Sequence, residues 1–241
     1  MRMFAGPNDS GKSSLKAVLP TGLEGIYLNP DDLERNARER GFVDLLEYGL
    51  SGDAARALAF LRDSEFLREA LSREALSVIS SAGSIIHLNG LVPDSYLASM
   101  LCDFLRNALL ERRKDFTFET VMSHPGKVEI LAHAQSLGYR TYLYYVATED
   151  PIINVSRVAT RVRFGGHAVP PDKIKERYYR SLDLLVSAIK HTNRAYIFDN
   201  SGEGQDRTWI AEITDGWELH LISDGIPAWF RRSVVDQFRA D

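Results

Sequence analysis

The strongest constraint on this chain is the stretch Gly6-Pro7-Asn8-Asp9-Ser10-Gly11-Lys12-Ser13, which fits G-x-x-x-x-G-K-[ST]. That spacing builds a phosphate-binding loop. Glycines hold the backbone open so that its N–H groups point inward at the phosphates. The lysine ammonium reaches the outer phosphates, and the serine hydroxyl is a Mg²⁺ ligand. Gly6, Pro7, Asn8, Asp9, Ser10, Gly11, Lys12, Ser13 and Ser14 are therefore the candidate nucleotide-binding residues, with Lys12 also catalytic and Ser13 the metal ligand. Met3-Phe4-Ala5 before the loop reads as a strand and Ser14–Leu19 after it as a helix. A helix starting there would add its positive dipole end to the anion site, and it should end before Pro20.

The rest of the chain reads as strands alternating with helices. Residues 2–5, Gly25–Asn29, Asp115–Thr120, Arg140–Val146 and Ala195–Asn200 are the expected strands. Such alternation predicts an α/β P-loop NTPase fold, kinase-like, with a five-stranded parallel sheet flanked by helices. Residues about 36–113 read as a helical insertion. Its helices are capped at Ser51 or Asp53, capped again at Ser64, and begin a third time at Pro93. A helix after Pro125 stops at Gly138. Thr208–Thr214 and Trp217–Ile222, split by Asp215-Gly216, form a C-terminal β-hairpin. The whole of 1–241 is read as one domain, with an arginine-rich lid over about 151–193.

Acids at strand ends supply the second set of candidates, because ligands of open parallel sheets bind beyond the carboxyl ends of the strands. Asp31 is the candidate general base, taking the proton of an attacking hydroxyl. Glu119, with Thr120 beside it, is the candidate for binding substrate or metal-bound water. Asp32 reads better as an acid at the start of a helix. The lid contributes Arg157, Arg161 and Arg163, then Gly165-Gly166-His167, then Arg177 and Arg180. Positive charge on a hinged arm suits the equatorial oxygens of a moving phosphate, with Arg161 and Arg177 first for catalysis and Arg163 and Arg180 as substrate contacts.

Composition excludes several classes. Of 241 residues, 44% are hydrophobic and 26% charged, as in an ordinary globular protein, and the net charge of -4 argues against a nucleic-acid binder. The single cysteine, Cys102, forbids an intrachain disulfide and reads as core. No signal peptide or membrane-length apolar run is visible, so the expected location is cytoplasmic, with no membrane partner. No serine sits in a nucleophile elbow, and the six histidines are scattered and structural, with His167 a hinge or substrate contact.

Taken together, Gly6-Pro7-Asn8…Gly11-Lys12-Ser13, Leu28-Asn29-Pro30-Asp31, Phe118-Glu119-Thr120, Arg161-Val162…Gly165-Gly166-His167-x-Val169-Pro170 and Arg177-Tyr178-x-Arg180-Ser181-Leu182 resemble the zeta-toxin-like P-loop kinases, in the chromosomal bacterial branch often labelled predicted ATPases. The resemblance implies an ATP-dependent phosphotransferase with Mg²⁺ that moves the γ-phosphate to a small-molecule hydroxyl, a UDP-sugar in the better-characterised zeta toxins. It implies an antitoxin protein as a partner. It also implies Lys12 on phosphate, Ser13 on Mg²⁺, Asp31 activating the acceptor, Glu119 on substrate, and Arg161 and Arg177 on the transferring phosphate. The alternative reading is an ATP-hydrolysing regulatory switch, or a nucleotide-binding protein, acting through a protein partner. Two features depart from the family pattern: Asp9 stands where many relatives have glycine, and the helical insertion is longer.

Overall fold

In the computed structural model, the described residues are 1–20, 22–71, 73–202, 204 and 206–238. The chain divides into two compact units, Met1–Glu24 with Thr117–Asp241, and Gly25–Phe116.

The first unit is built on strands β1 (Arg2–Ala5), β6 (Phe116–Thr120), β7 (Tyr142–Ala147), β8 (Arg194–Asp199), β9 (Thr208–Thr214) and β10 (Glu218–Leu221). Met3, Phe4 and Ala5 are wholly buried, as a central parallel strand requires. β1 pairs in parallel with β6 on one side and β7 on the other, and β8 pairs in parallel with β7. Ala5, Thr120, Ala147 and Asp199 thus end their strands along one edge. Helices α6 (Gly126–Ser136), α7 (Pro151–Arg163), α8 (Pro171–Asp183) and α9 (Leu185–Lys190) follow these strands, and a helical stretch over 228–238 closes the chain. That last stretch seats Trp229, fully buried, against Tyr145 and donates its indole N–H to Asp199.

Three expectations need correction here. The sheet has seven strands rather than five, and those of this unit run in the order β10-β9-β8-β7-β1-β6. The hairpin is not an appendage. β9 pairs antiparallel with β8, burying Ile210, Ala211 and Ile213, so both hairpin strands extend the sheet. Asp215 and Gly216, with φ of 49° and 82°, supply the left-handed residues of the three-residue turn between paired Thr214 and Glu218. The expected helix after the phosphate loop is a six-residue 3₁₀ turn, Ser13–Val18, which ends where Leu19 turns extended before Pro20.

The second unit carries β2 (Ile26–Leu28), α1 (Pro30–Arg40), α2 (Ala54–Asp63), α3 (Glu65–Ala70), α4 (Arg73–Ser77) and α5 (Ser95–Glu111). Ser64 caps α3, accepting from Leu67 N, as its position suggests. The stretch that follows the Ser64 cap holds two short helices, α3 and α4, where one was expected. α5 is capped by Asp94 rather than opened by Pro93. Cys102 is buried on it. The insertion is also not purely helical, because β3 (Phe42–Asp44), β4 (Ser80–Ala82) and β5 (Ile85–His87) form an antiparallel sheet in the order β3-β5-β4. Strands of three residues are too short for the alternation that reveals a strand.

Candidate functional site

The chain leaves β1 directly into the glycine-bounded loop. A Cβ on Gly6, at φ 142°, would lie 2.0 Å from the Val146 carbonyl oxygen, so only glycine lets the loop start beside β7. Gly11, at φ 102°, presents the same face to Asn200, whose amide nitrogen would sit 2.5 Å from an added Cβ. Asp9 takes the left-handed conformation, φ 49°, which aspartate tolerates better than most residues. The Lys12 ammonium folds over the loop, donating to the carbonyls of Gly6 (3.0 Å) and Pro7 (2.7 Å). Ser13 Oγ donates to Glu119 Oε2 at 3.2 Å, and Ser14 Oγ to Gly11 O at 2.8 Å. The short 3₁₀ turn lends no helix dipole, so attraction for an anion rests on loop N–H groups and on cationic side chains.

Other segments of the unit hold this loop from outside. Asn154 Nδ2 donates to Asn8 O at 2.6 Å, and Thr148 Oγ1 donates to Asn154 Oδ1 at 2.6 Å. Tyr178 OH in turn donates to Thr148 O, and burial, with Glu149 adding to it, pushes that phenol far up, so it stays a donor. Asn200 Nδ2 donates to Ser10 O at 2.8 Å, and Arg207 to Ser14 Oγ at 2.6 Å. Two buried polar atoms on the loop have no hydrogen-bond partner among the described residues: Ser10 Oγ and Asn8 Oδ1. A fully buried hydroxyl without a partner is costly, and a loop built to face phosphate oxygens gives it one.

Beside the loop, β6 registers Glu119 opposite Phe4 and Thr120 opposite Ala5. Glu119 is 7% exposed and is the one charged side chain among the buried described residues of this unit. A carboxylate and a hydroxyl in contact are hard oxygen donors suited to Mg²⁺ or its waters. Among the described residues no cluster of three or more His, Cys, Asp or Glu forms a metal cage. Thr120 Oγ1 is occupied by Met122 N at 3.0 Å, where the buried Met122 turns the chain at φ 54°.

The lid arginines are placed differently from one another. Asp150 caps α7, accepting from Ile152 N, and Pro151 opens it. Arg161 near its end pairs with Asp9 of the loop, Nη1 to Oδ1 at 3.0 Å, and donates from Nη2 to His167 O at 3.1 Å. Arg157 donates to Gly202 O. Arg163 is exposed at the last turn. On α8, Arg177 is half-buried with no hydrogen bond or ion pair among the described residues, while Arg180 is exposed and paired with Glu176 at 2.5 Å. Arg161 is thus brought to the phosphate loop by its pair with Asp9. Arg163 and Arg180 make no such contact with it.

Asp31 belongs to the second unit. Asn29 caps α1, its Oδ1 accepting from Asp31 N (2.9 Å) and Asp32 N (3.4 Å), with Pro30 at the first position. Asp31 is exposed, and Asp32 pairs with Arg35.

Sequence reasoning gave no role to Asn154, Thr148 or Arg207, carried Tyr178 only within the lid motif, and read Asn200 as the end of a strand. For Asn154 a signal existed. Pro151, Asn154 and Val158 are the buried positions of α7, so a polar residue lies on an apolar stripe and needs a buried partner. Nothing local marks Arg207.

The Zeta toxin family model matches residues 95–205, from α5 to just beyond β8. It therefore includes Glu119 and the lid but neither the phosphate loop nor Asp31. No curated protein sequence matches the chain. Among solved structures, the native AvrRxo1-ORF1:ORF2 complex overlays at TM-score 0.55 with 11% identity, over 92% of this chain and 60% of that one. The same complex with sulphate ions gives TM-score 0.53, again at 11% identity and the same coverage. This chain thus spans about 60% of the length of the AvrRxo1 chain that it matches. The PezAT chromosomal toxin–antitoxin system of Streptococcus pneumoniae overlays at TM-score 0.49 with 11% identity, over all of this chain and 79% of that one. The stretch from α5 to just beyond β8 is thus similar to the zeta toxins, and the chain has a P-loop kinase-like α/β fold.

Proposed function

We propose that the protein is an ATP-dependent phosphotransferase that moves the γ-phosphate to a hydroxyl of a small molecule, with a UDP-sugar as the acceptor class to test first. The observation that carries this reading is the Ser13–Glu119 hydrogen bond: a buried carboxylate meets the hydroxyl of the phosphate loop. A merely structural buried acid is better replaced by a neutral group.

Loop N–H groups and Lys12 bind the phosphates, Lys12 exchanging its bonds to Gly6 O and Pro7 O for phosphate oxygens. Asp31 accepts the acceptor's proton as its oxygen attacks phosphorus and the bond to ADP breaks. Arg161 and Arg177 balance the charge on the transferring group, and the exposed Arg163 and Arg180, with Glu119 and Thr120, contact the acceptor. Ser13 and Glu119 would hold Mg²⁺, which when bound neutralises phosphate charge. Asn154 and Asn200 fix the loop carbonyls of Asn8 and Ser10, so the loop N–H groups are aimed before nucleotide arrives. The location in this proposal is the cytoplasm, where ATP and Mg²⁺ are supplied. A protein antitoxin is the partner that the family resemblance supports.

The test is ATP-dependent labelling of candidate acceptors, read by mass spectrometry. Asp31→Asn should abolish transfer while leaving nucleotide binding nearly intact, whereas Lys12→Ala should weaken binding as well. Full transfer by Asp31→Asn on an identified acceptor would remove Asp31 as the base. Acceptor-independent hydrolysis stimulated by a protein partner would favour a regulatory ATPase instead.

A further inference from the structure

The phosphate loop of this chain carries an acid, and that acid is in contact with the lid. Asp9 Oδ1 lies 3.0 Å from Arg161 Nη1, with the two side chains 16% and 35% exposed. The rest of the Arg161 side chain is shaped around the lid turn. A Cβ on Gly166 would lie 2.6 Å from Arg161 Cγ, and Arg161 Nη2 donates to His167 O. Gly165, at φ 86°, supplies the left-handed residue that lets the turn double back over its own arginine. The guanidinium therefore bridges the lid turn and the phosphate loop, and a carboxylate occupies it at a loop whose function is to receive negatively charged oxygens.

We infer that Asp9 is a phosphate surrogate: its carboxylate holds Arg161 against the phosphate loop while no nucleotide is bound and yields the guanidinium to a nucleotide phosphate. A carboxylate and a phosphate offer arginine the same paired oxygens, so one replaces the other without the lid having to find a new geometry. The arrangement keeps the lid cation from swinging away, at the cost of a competing anion within the binding loop. It makes Asp9 a positioning residue that sets nucleotide affinity through Arg161. This inference rests on the phosphate-site reading above and adds to it how that site is regulated.

The experiment uses the full chain and Asp9→Asn, a substitution that keeps the tolerance for positive φ and removes the charge. A non-hydrolysable ATP analogue with Mg²⁺ is titrated calorimetrically, and amide hydrogen exchange over residues 164–168 is followed without nucleotide. The surrogate predicts that Asp9→Asn binds the analogue about threefold or more tightly, since a partly exposed ion pair no longer has to be broken. It also predicts faster exchange at the lid turn in the nucleotide-free variant. Equal or weaker binding by the variant would overturn the surrogate while leaving the phosphate site standing. Tighter binding with unchanged exchange would overturn it as well, because Asp9 would then act by simple repulsion without holding the lid. If neither protein binds the analogue, the phosphate-site reading falls and the surrogate falls with it.

Discussion

The two units bury their polar side chains in opposite ways. In Met1–Glu24 with Thr117–Asp241, the buried polar residues are Ser10, Thr117, Thr141, Thr148, Asn154, Ser181 and Thr192, all neutral, with Glu119 as the exception. Most of them bond to backbone carbonyls or to one another: Thr117 to Glu24 O, Thr192 to Ile189 O, Asn154 to Asn8 O, Ser181 with Tyr145. In Gly25–Phe116 the buried polar residues are Glu34, Asp53 and Arg106, and every one is charged. Asp53 takes Arg112 at 2.6 Å and Arg56 at 3.3 Å, Glu34 takes Arg38 at 2.7 Å, and Arg106 pairs with Asp103. Burial holds the Arg106 pKa down to about 10. One unit thus uses neutral hydrogen bonds to shape loops, and the other uses ion pairs, most of them within one helix, with Asp53–Arg112 linking the start of α2 to the end of α5. Against that background, Glu119 is a charge where its own unit otherwise avoids charge, and the difference supports the ligand role proposed for it.

Substitutions can break or sharpen that contrast. The largest effect is expected on transfer itself: Lys12→Ala should lower ATP-dependent labelling by about a thousandfold or more, from lost phosphate charge balance. Next, Glu119→Gln should lower transfer by about a hundredfold while leaving the melting temperature unchanged or higher, because a buried charge is removed. A Glu119→Gln protein that unfolds easily and still transfers normally would make Glu119 structural, and the contrast between the units would vanish.

Asp53→Ala should do the reverse, costing about 3 kcal/mol in denaturant unfolding by leaving Arg112 without its buried partner. Its effect on nucleotide affinity should be small. Asn154→Ala is intermediate, with about 1–2 kcal/mol lost and a raised KM for ATP, as the Asn8 carbonyl and the Thr148 hydroxyl lose their partner. The smallest effect belongs to Asp32→Ala, within about 0.5 kcal/mol by chemical denaturation, since its pair with Arg35 is exposed. Set beside Asp31→Asn, it tests the different roles that the sequence reading gives these two adjacent acids.

How much could be read in advance followed how local each signal is. The loop from Gly6 to Ser13 was legible because its spacing is itself the requirement for cradling phosphate. β1, β6, β7 and β8 were legible as apolar runs bounded by turn residues, and α7 and α8 only as an arginine-rich arm hinged at Gly165-Gly166. The three-residue strands of the insertion were not, because three residues carry no period. The hairpin was visible as a hairpin, but its junction with β8 was not, since Ile197 and Ala211 become partners only when the sheet forms.

The sequence by itself determined the chemistry on offer: a phosphate loop with Lys12 and Ser13, acids at strand ends, and arginines on a Gly-Gly hinge. It also determined the alternation that makes a parallel sheet, through local pattern and propensity. Only the tertiary structure decided which of those groups meet. Glu119 reaches Ser13 across 106 residues of chain, Asn154 reaches Asn8 across 146, and Asn200 reaches Ser10 across 190. The physical reason is that β1 lies between strands that are distant in sequence, so the loop that follows it is surrounded by segments whose spacing no periodicity encodes. The pairing of Asp9 with Arg161 belongs to this second kind of fact. In the sequence Asp9 is one unusual loop residue, and in the fold it is the counter-charge of the lid.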